Sequence, residues 1–144
     1  PLTFMLGDYT ATGEIYQKGN QSWTITIHKD AEDDHKVWFD NLGNNSGWID
    51  PRTRFYGVVN DDKTVVNIPF GQEAEYIHSN GKPLCLWGID ADLNDYDTGS
   101  LDVAIVVDGG TVSLDFGDEY GLWVWILDTG SIGIVLPGLD AVKN

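Results

Sequence analysis

The sequence predicts an all-β fold: a single antiparallel barrel of about eight to ten strands, with little or no helix. Three observations predict it. The stretch Ser22 to Asp30 alternates without a slip, with Trp23, Ile25 and Ile27 on one side and Ser22, Thr24, Thr26 and His28 on the other. Period-two alternation in β-branched and aromatic residues is the mark of a half-buried strand. Similar stretches recur at spacings of roughly eight to twelve residues, punctuated by Gly, Asn, Asp and Pro. A third sign is Tyr120 to Leu127, where Trp123, Trp125 and Leu127 line one face and Leu122, Val124 and Ile126 the other. A strand apolar on both faces is expected to be covered on both. Closing the sheet removes the edges that so many strands would otherwise expose, which favours a barrel.

Taken in order, Pro1 to Leu6 is an entry segment with Phe4 and Leu6 as plugs, and Gly7-Asp8-Tyr9 opens a strand that runs to Tyr16. Lys18-Gly19-Asn20 turns it into the Trp23 strand, as a hairpin with a short loop. Asp30 to Asp34 is an acidic turn. Lys36 to Leu42 follows, with Val37 and Phe39 opposite Trp38. Asn41 to Pro51 is a long polar loop that carries Trp48 and Ile49. Arg54–Asn60 and Thr64–Phe70 are strands joined at Asp61-Asp62-Lys63. Pro69 must sit at an edge or a strand end, because it has no amide hydrogen for the ladder. Gly71 to Asn80 fits either a loop or a single helical turn. Lys82 to Asp90 sets Leu84, Leu86 and Gly88 opposite Cys85 and Trp87, and Ala91 to Ser100 is an acidic loop. The strands around Leu101–Val107 and Val112–Phe116 are joined by Asp108-Gly109-Gly110, which supplies the positive φ of a tight hairpin. Asp128-Thr129-Gly130 leads into Ile132, Ile134 and Leu136. Leu139 to Asn144 is a tail.

At 144 residues the chain is one domain, spanning 1–144, large enough to bury roughly 70% of its unfolded surface. A hydrophobic share of 42% is too high for a disordered chain even at a net charge of −15. That charge disfavours nucleic acid and anionic membranes as partners. No apolar run approaches the roughly 18 residues of a membrane span, and no leader peptide is visible, which leaves secretion open because Pro1 reads as the start of a trimmed chain. Cys85 is the one cysteine, so neither an internal disulfide nor a cysteine-based zinc site is available.

Several motifs are similar to a known family. They are Gly7-Asp8-Tyr9-Thr10-Ala11-Thr12-Gly13, Trp23-Thr24-Ile25-Thr26-Ile27, Lys36-Val37-Trp38, Tyr56-Gly57-Val58-Val59 and Asn67-Ile68-Pro69-Phe70-Gly71-Gln72. In this order and spacing the first half of the chain resembles the calycin-like, or lipocalin-like, domains of secreted lipoproteins in Bacteroidetes-type bacteria. The second half matches by strand pattern. Calycins carry Gly-x-Trp where this chain has Gly7-Asp8-Tyr9; a tyrosine can close a barrel floor if its hydroxyl finds a partner. The resemblance implies an antiparallel barrel that is secreted, periplasmic or attached to the outer membrane, with a lipid anchor upstream. It implies no catalytic residue.

The residues themselves point away from catalysis. His28 lies on a polar strand face, and His35 and His78 lie in acidic turns, so none is placed as a general base. Ser131 does not complete Gly-x-Ser-x-Gly, and no strand-to-helix elbow follows it. Cys85 between Leu84 and Leu86 reads as a buried, inert thiol. Asp90, Asp92, Asn94 and Asp97 place oxygen ligands as calcium loops do, but Asp95 stands where an EF-hand needs glycine and Leu101 where it needs glutamate. Calcium is therefore the metal to test, against a solvated acidic loop. The tryptophans are the better signal. Trp23 shares its face with two isoleucines and belongs to the core. Trp38, Trp48, Tyr56, Trp87, Trp123 and Trp125 are the candidate ligand contacts, expected to converge at a barrel mouth as an apolar floor with polar rims. The leading expectation is an exported, non-enzymatic binding or accessory domain for a small apolar or glycan-derived molecule. The alternatives are a protein-interaction module with a filled barrel, and a hydrolase using acidic residues at the barrel mouth.

Overall fold

The computed structural model describes residues 1–44, 53–77 and 81–144; of 75–77 and Ser131 it describes the backbone alone. Every strand pairing among them is antiparallel. Four consecutive strands form one wall: β1 (Gly7–Ile15), β2 (Gly19–Lys29), β3 (Lys36–Asp40) and β4 (Arg54–Val59). Their neighbours split into two groups. β5 (Val65–Pro69) joins β4 at Val58 and Val59, and is followed across the sheet by β9 (Ser100–Asp108), β10 (Thr111–Asp115) and β13 (Asp140–Lys143). β13 then pairs Tyr9–Thr12 of β1, which closes an eight-stranded barrel. The far end of β1 takes a different partner, since Ile15 pairs with Val135 of β12 (Gly130–Val135). From β12 the sheet continues through β11 (Gly121–Ile126) and β7 (Pro83–Ile89) to β6 (Gln72–Ile77), with the short β8 (Asp95–Tyr96) also on β7.

The alternation read from the sequence is the alternation that is buried. Trp23, Ile25 and Ile27 face the core, as do Val37 and Phe39, Val66 and Ile68, Leu84 and Leu86, Leu101 and Val103, and Leu114 and Phe116. The Asp108-Gly109-Gly110 turn forms as expected, with Thr111 opposite Asp108 and φ of 56° and 83° at the two glycines. Pro69 ends its strand, where its missing amide costs no ladder bond.

The entry segment closes the floor, with different residues from those expected. A short 3-10 turn, Thr3–Met5, buries Leu2 and Met5, while Phe4 and Leu6 pack partly exposed against the core. Fully buried Tyr9 donates its hydroxyl to Met5 O at 2.8 Å, so the tyrosine has the partner that a floor position demands. Lys143 Nζ donates to Phe4 O at 2.8 Å and ties the last strand to the same plug. Toward the other end of the wall, Trp23 donates its indole N–H to Asn41 O at 3.0 Å, beneath buried Leu42.

Three segments are strands where the sequence suggested otherwise. Gln72–Ile77 is β6, neither loop nor helical turn; Asp95–Tyr96 in the acidic loop is β8; and the supposed tail contains β13. The wall strands hide their pattern least. The closing strand hides it most, since of its four residues Ala141 alone is buried.

Candidate functional site

Tyr56 lies where the wall changes partners. Further along β4, Val58 and Val59 are paired by β5, but at Tyr56 the neighbour is a side chain. Gln72, the first residue of β6, accepts from Tyr56 N at 2.8 Å through Oε1 and donates to Tyr56 O at 2.9 Å through Nε2. The amide thus imitates the peptide group of a missing strand neighbour. Nε2 also donates to Pro69 O at 2.9 Å, which holds the turn between β5 and β6. Gly71 belongs in that turn for two reasons: its φ is +85°, and a Cβ there would overlap Asp97 O.

A cleft opens over this fork. It has a volume of about 290 Å³ and is bounded by Lys36, Trp38, Arg54, Tyr56, Gln72 and Glu73. Alternation explains the cast. Val37, Phe39 and Phe55 point into the barrel, so Lys36, Trp38, Arg54 and Tyr56 point out. Trp38 and Tyr56 are opposite one another in the β3–β4 register and meet edge to face, with centroids 5.8 Å apart at 63°. Lys36 Nζ stands 4.7 Å from the Trp38 ring and 4.6 Å from the Tyr56 ring, a cation over two aromatic faces.

Hydrogen bonds fix the surroundings. Trp38 Nε1 donates to Asp30 Oδ1 at 2.8 Å. Asp30 Oδ2 accepts from the Glu32 and Asp33 amides. The Asp33 amide, then the Trp38 indole, hold the Asp30 carboxyl down at about 2. Asp40 joins the neighbouring side chains: Arg54 Nε donates to Oδ1 at 2.7 Å, and His28 Nε2 lies 2.6 Å from Oδ2.

The other tryptophans lie elsewhere. Trp87, Trp123 and Trp125 are half-buried on the opposite side of β7 and β11 from Leu84, Leu86, Leu122 and Val124. Trp123 and Trp125 stack at 4.7 Å and 14°, and Trp87 meets both edge to face at 5.6 and 5.0 Å. Trp125 Nε1 is buried with no hydrogen-bond acceptor among the described residues. Cys85, cross-strand from Trp125, is buried beside them; its burial, then Glu73 and Asp128, raise its thiol to about 11.

The expected convergence at a barrel mouth is therefore corrected. The candidate ligand aromatics among the described residues form two groups, Trp38 with Tyr56 and Trp87 with Trp123 and Trp125, both on the outside of the sheets. The physical reason is that the inward positions are taken by the core: Tyr9, Phe39, Phe55 and Phe70 fill them with aliphatic neighbours. Trp48 lies outside the described residues, as does His78. The sequence reading missed Lys36, Arg54, Gln72 and Glu73. The first two carry a usable signal, since the alternation that puts Trp38 and Tyr56 outside puts Lys36 and Arg54 beside them.

The acidic loop closes on itself. Asp90 Oδ1 accepts from the Asp92 and Asn94 amides, and Oδ2 accepts from Asn94 Nδ2 and the Tyr96 hydroxyl. These bonds, led by that of the Asn94 amide, lower the Asp90 carboxyl. Among the described residues no group of three or more His, Cys, Asp or Glu could hold a metal ion. The Asp90 carboxylate is thus taken by donors from Asp92, Asn94 and Tyr96, and the Asp97 carbonyl oxygen lies close to Gly71. Elsewhere, exposed Asp140 faces Asp115 across β13 and β10; lost hydration, then Asp115 and Asp118, raise its carboxyl.

Comparison with protein-family models, with curated proteins and with solved structures finds no match.

Proposed function

We propose that this chain is a non-enzymatic binding module whose ligand, a glycan-derived or small apolar molecule, sits against Trp38 and Tyr56 on the outer wall. The observation that carries this is the cleft itself. The aromatic side chains of Trp38, Tyr56 and Phe70 line it together with charged and amide groups (Lys36, Arg54, Gln72, Glu73). Such a mixture suits a sugar ring, with apolar C–H faces for stacking and hydroxyls for the rim. Its volume lies at the lower end for small-molecule sites, the size of one sugar residue. The fold is a calycin-like barrel, and the motifs of the first half support a place among secreted envelope lipoproteins of Bacteroidetes-type bacteria. No helix among the described residues is long and apolar enough to cross a membrane.

The test is intrinsic tryptophan fluorescence titrated against a panel of oligosaccharides and apolar probes, with Trp38→Ala and Trp87→Ala in parallel. A saturable change that Trp38→Ala abolishes and Trp87→Ala retains is the expected result. Flat titrations across the panel, or loss only with Trp87→Ala, would overturn it. The first outcome would favour a protein-interaction module instead. The half-buried Trp87, Trp123 and Trp125 cluster on an outer face supports that second reading.

A further inference from the structure

We infer that the ligand of the Trp38–Tyr56 cleft carries a carboxylate, as an acidic sugar does, and that Lys36 and Arg54 recognise it. The inference rests on the binding reading above and narrows it to one chemical class. It starts from an imbalance. The chain has 8 basic residues against 23 acidic ones, yet two of the eight, Lys36 and Arg54, line this one cleft. Among the described residues Lys36 makes no ion pair within 4.0 Å. Asp30 senses its charge, but both Asp30 oxygens are already taken, by the Trp38 indole and by two backbone amides. Lys36 rests instead against two ring faces, 4.7 and 4.6 Å away, with its ammonium donors at the cleft.

Arg54 is held in a complementary way. Its Nε is spent on Asp40 Oδ1, which fixes the guanidinium plane, while its two Nη groups donate to no described residue. A planar guanidinium fixed at one edge and open at the other is suited to a carboxylate. Both cations lie on the β3–β4 side of the cleft and Glu73 on the β6 side. In the β3–β4 register Lys36 and Arg54 flank the Trp38–Tyr56 pair from its two ends, so an acidic sugar would lie along the pair with its carboxylate at a flanking cation and its hydroxyls toward Glu73. Of the carboxylates nearest the cleft, Asp30 is bonded to the Trp38 indole and two amides and Asp40 to Arg54 and His28, which leaves Glu73 as the acidic side chain of the lining.

The experiment compares trigalacturonate with its full methyl ester by calorimetric titration at physiological salt. The two probes share ring shape and hydroxyls and differ in charge. The unsubstituted protein should bind the acid about tenfold tighter or better, the scale of one charge-assisted hydrogen bond. Lys36→Met, which keeps an apolar stem against the rings, should bring the ratio of the two affinities near unity. Equal affinities in the unsubstituted protein, or preference for the ester, would overturn the assignment of an acidic ligand and leave the binding reading standing. The same holds if neither form binds while a neutral or apolar probe does. Failure of every probe in the panel would overturn both. The acid-to-ester ratio in the unsubstituted protein keeps the inference falsifiable should Lys36→Met fold poorly.

Discussion

Gln72→Met should destabilise the protein more than its position on a partly exposed turn suggests. The substitution keeps side-chain length and removes three hydrogen bonds: from Tyr56 N at 2.8 Å, to Tyr56 O at 2.9 Å and to Pro69 O at 2.9 Å. A lost intramolecular bond costs about 1 kcal/mol net, and a buried group left without a partner about 1–3 kcal/mol. The site is part-buried, so water can reach some of these groups, and the sum comes to about 2–4 kcal/mol. With a denaturant slope near 2 kcal/mol per molar, the urea midpoint should fall by about 1–2 M. Gln72→Glu separates the bridge from mere packing. The introduced carboxylate can still accept from Tyr56 N, but it faces the Tyr56 and Pro69 carbonyls. That environment raises its folded-state pKa. The raised value makes the sign unambiguous: the penalty is present at neutral pH and fades as pH falls through the folded value, when the carboxyl gains a proton to donate. A midpoint for Gln72→Met within about 0.3 M of the parent, or a Gln72→Glu penalty independent of pH, would refute the claim that the amide replaces a strand neighbour.

Gly121→Ala should cost about 3 kcal/mol or more, read from the same urea curves, because overpacking against backbone cannot relax by a rotamer change. A Cβ there would overlap Val135 O and lie 2.8 Å from the Leu136 carbonyl carbon. Two aspartates should act on acid stability with opposite signs. Asp30, held at about 2 chiefly by the Asp33 amide, contributes stability that is present above the unfolded carboxylate value and is lost between about pH 4 and 2; Asp30→Asn should flatten that limb of a melting-temperature profile. Asp140, raised by lost hydration and by Asp115, is less costly protonated, so Asp140→Asn should raise the neutral-pH melting temperature and the gain should shrink on acidification. Cys85, with its thiol raised to about 11 and buried, should resist aromatic disulfide reagents in the native protein and react at once in denaturant. Fast native labelling would show that the Trp125 side of β7 opens.

The wall strands were legible because one face of each is buried by many partners, so period-two alternation survives in the residues. Ser22–Asp30 is the clearest case, and its Trp23 is a core residue as expected. β13 was not legible for the opposite reason. It lies between β1 and β10 and buries Ala141, while Val142 is 44% exposed, so its pattern resembles a polar tail. β6 was obscured by its register shift between Glu73 and Ile77. The aromatics were legible one at a time. Which of them meet depends on the register of β3 with β4 and of β7 with β11, and strand order is what a single sequence conveys least. The expectation of a common mouth placed those aromatics inward, at positions where Tyr9, Phe39 and Phe55 stand.

The fork explains why the outer surface has a cleft at all. A continuous sheet presents a nearly flat exterior. Here β4 changes neighbours part-way along its length, from β5 at Val58 to a single amide at Tyr56. From that point β6 pairs β7 and not β4, and Gln72 and Glu73 of β6 line the cleft opposite the outward residues of β3 and β4. Gln72 is thus both the bond that keeps the fork from opening and part of the cleft that the fork creates. Substitutions that loosen the bridge should therefore weaken binding at Trp38 and Tyr56 along with stability, whereas Lys36 and Arg54 should govern which ligand is held without setting whether the barrel forms.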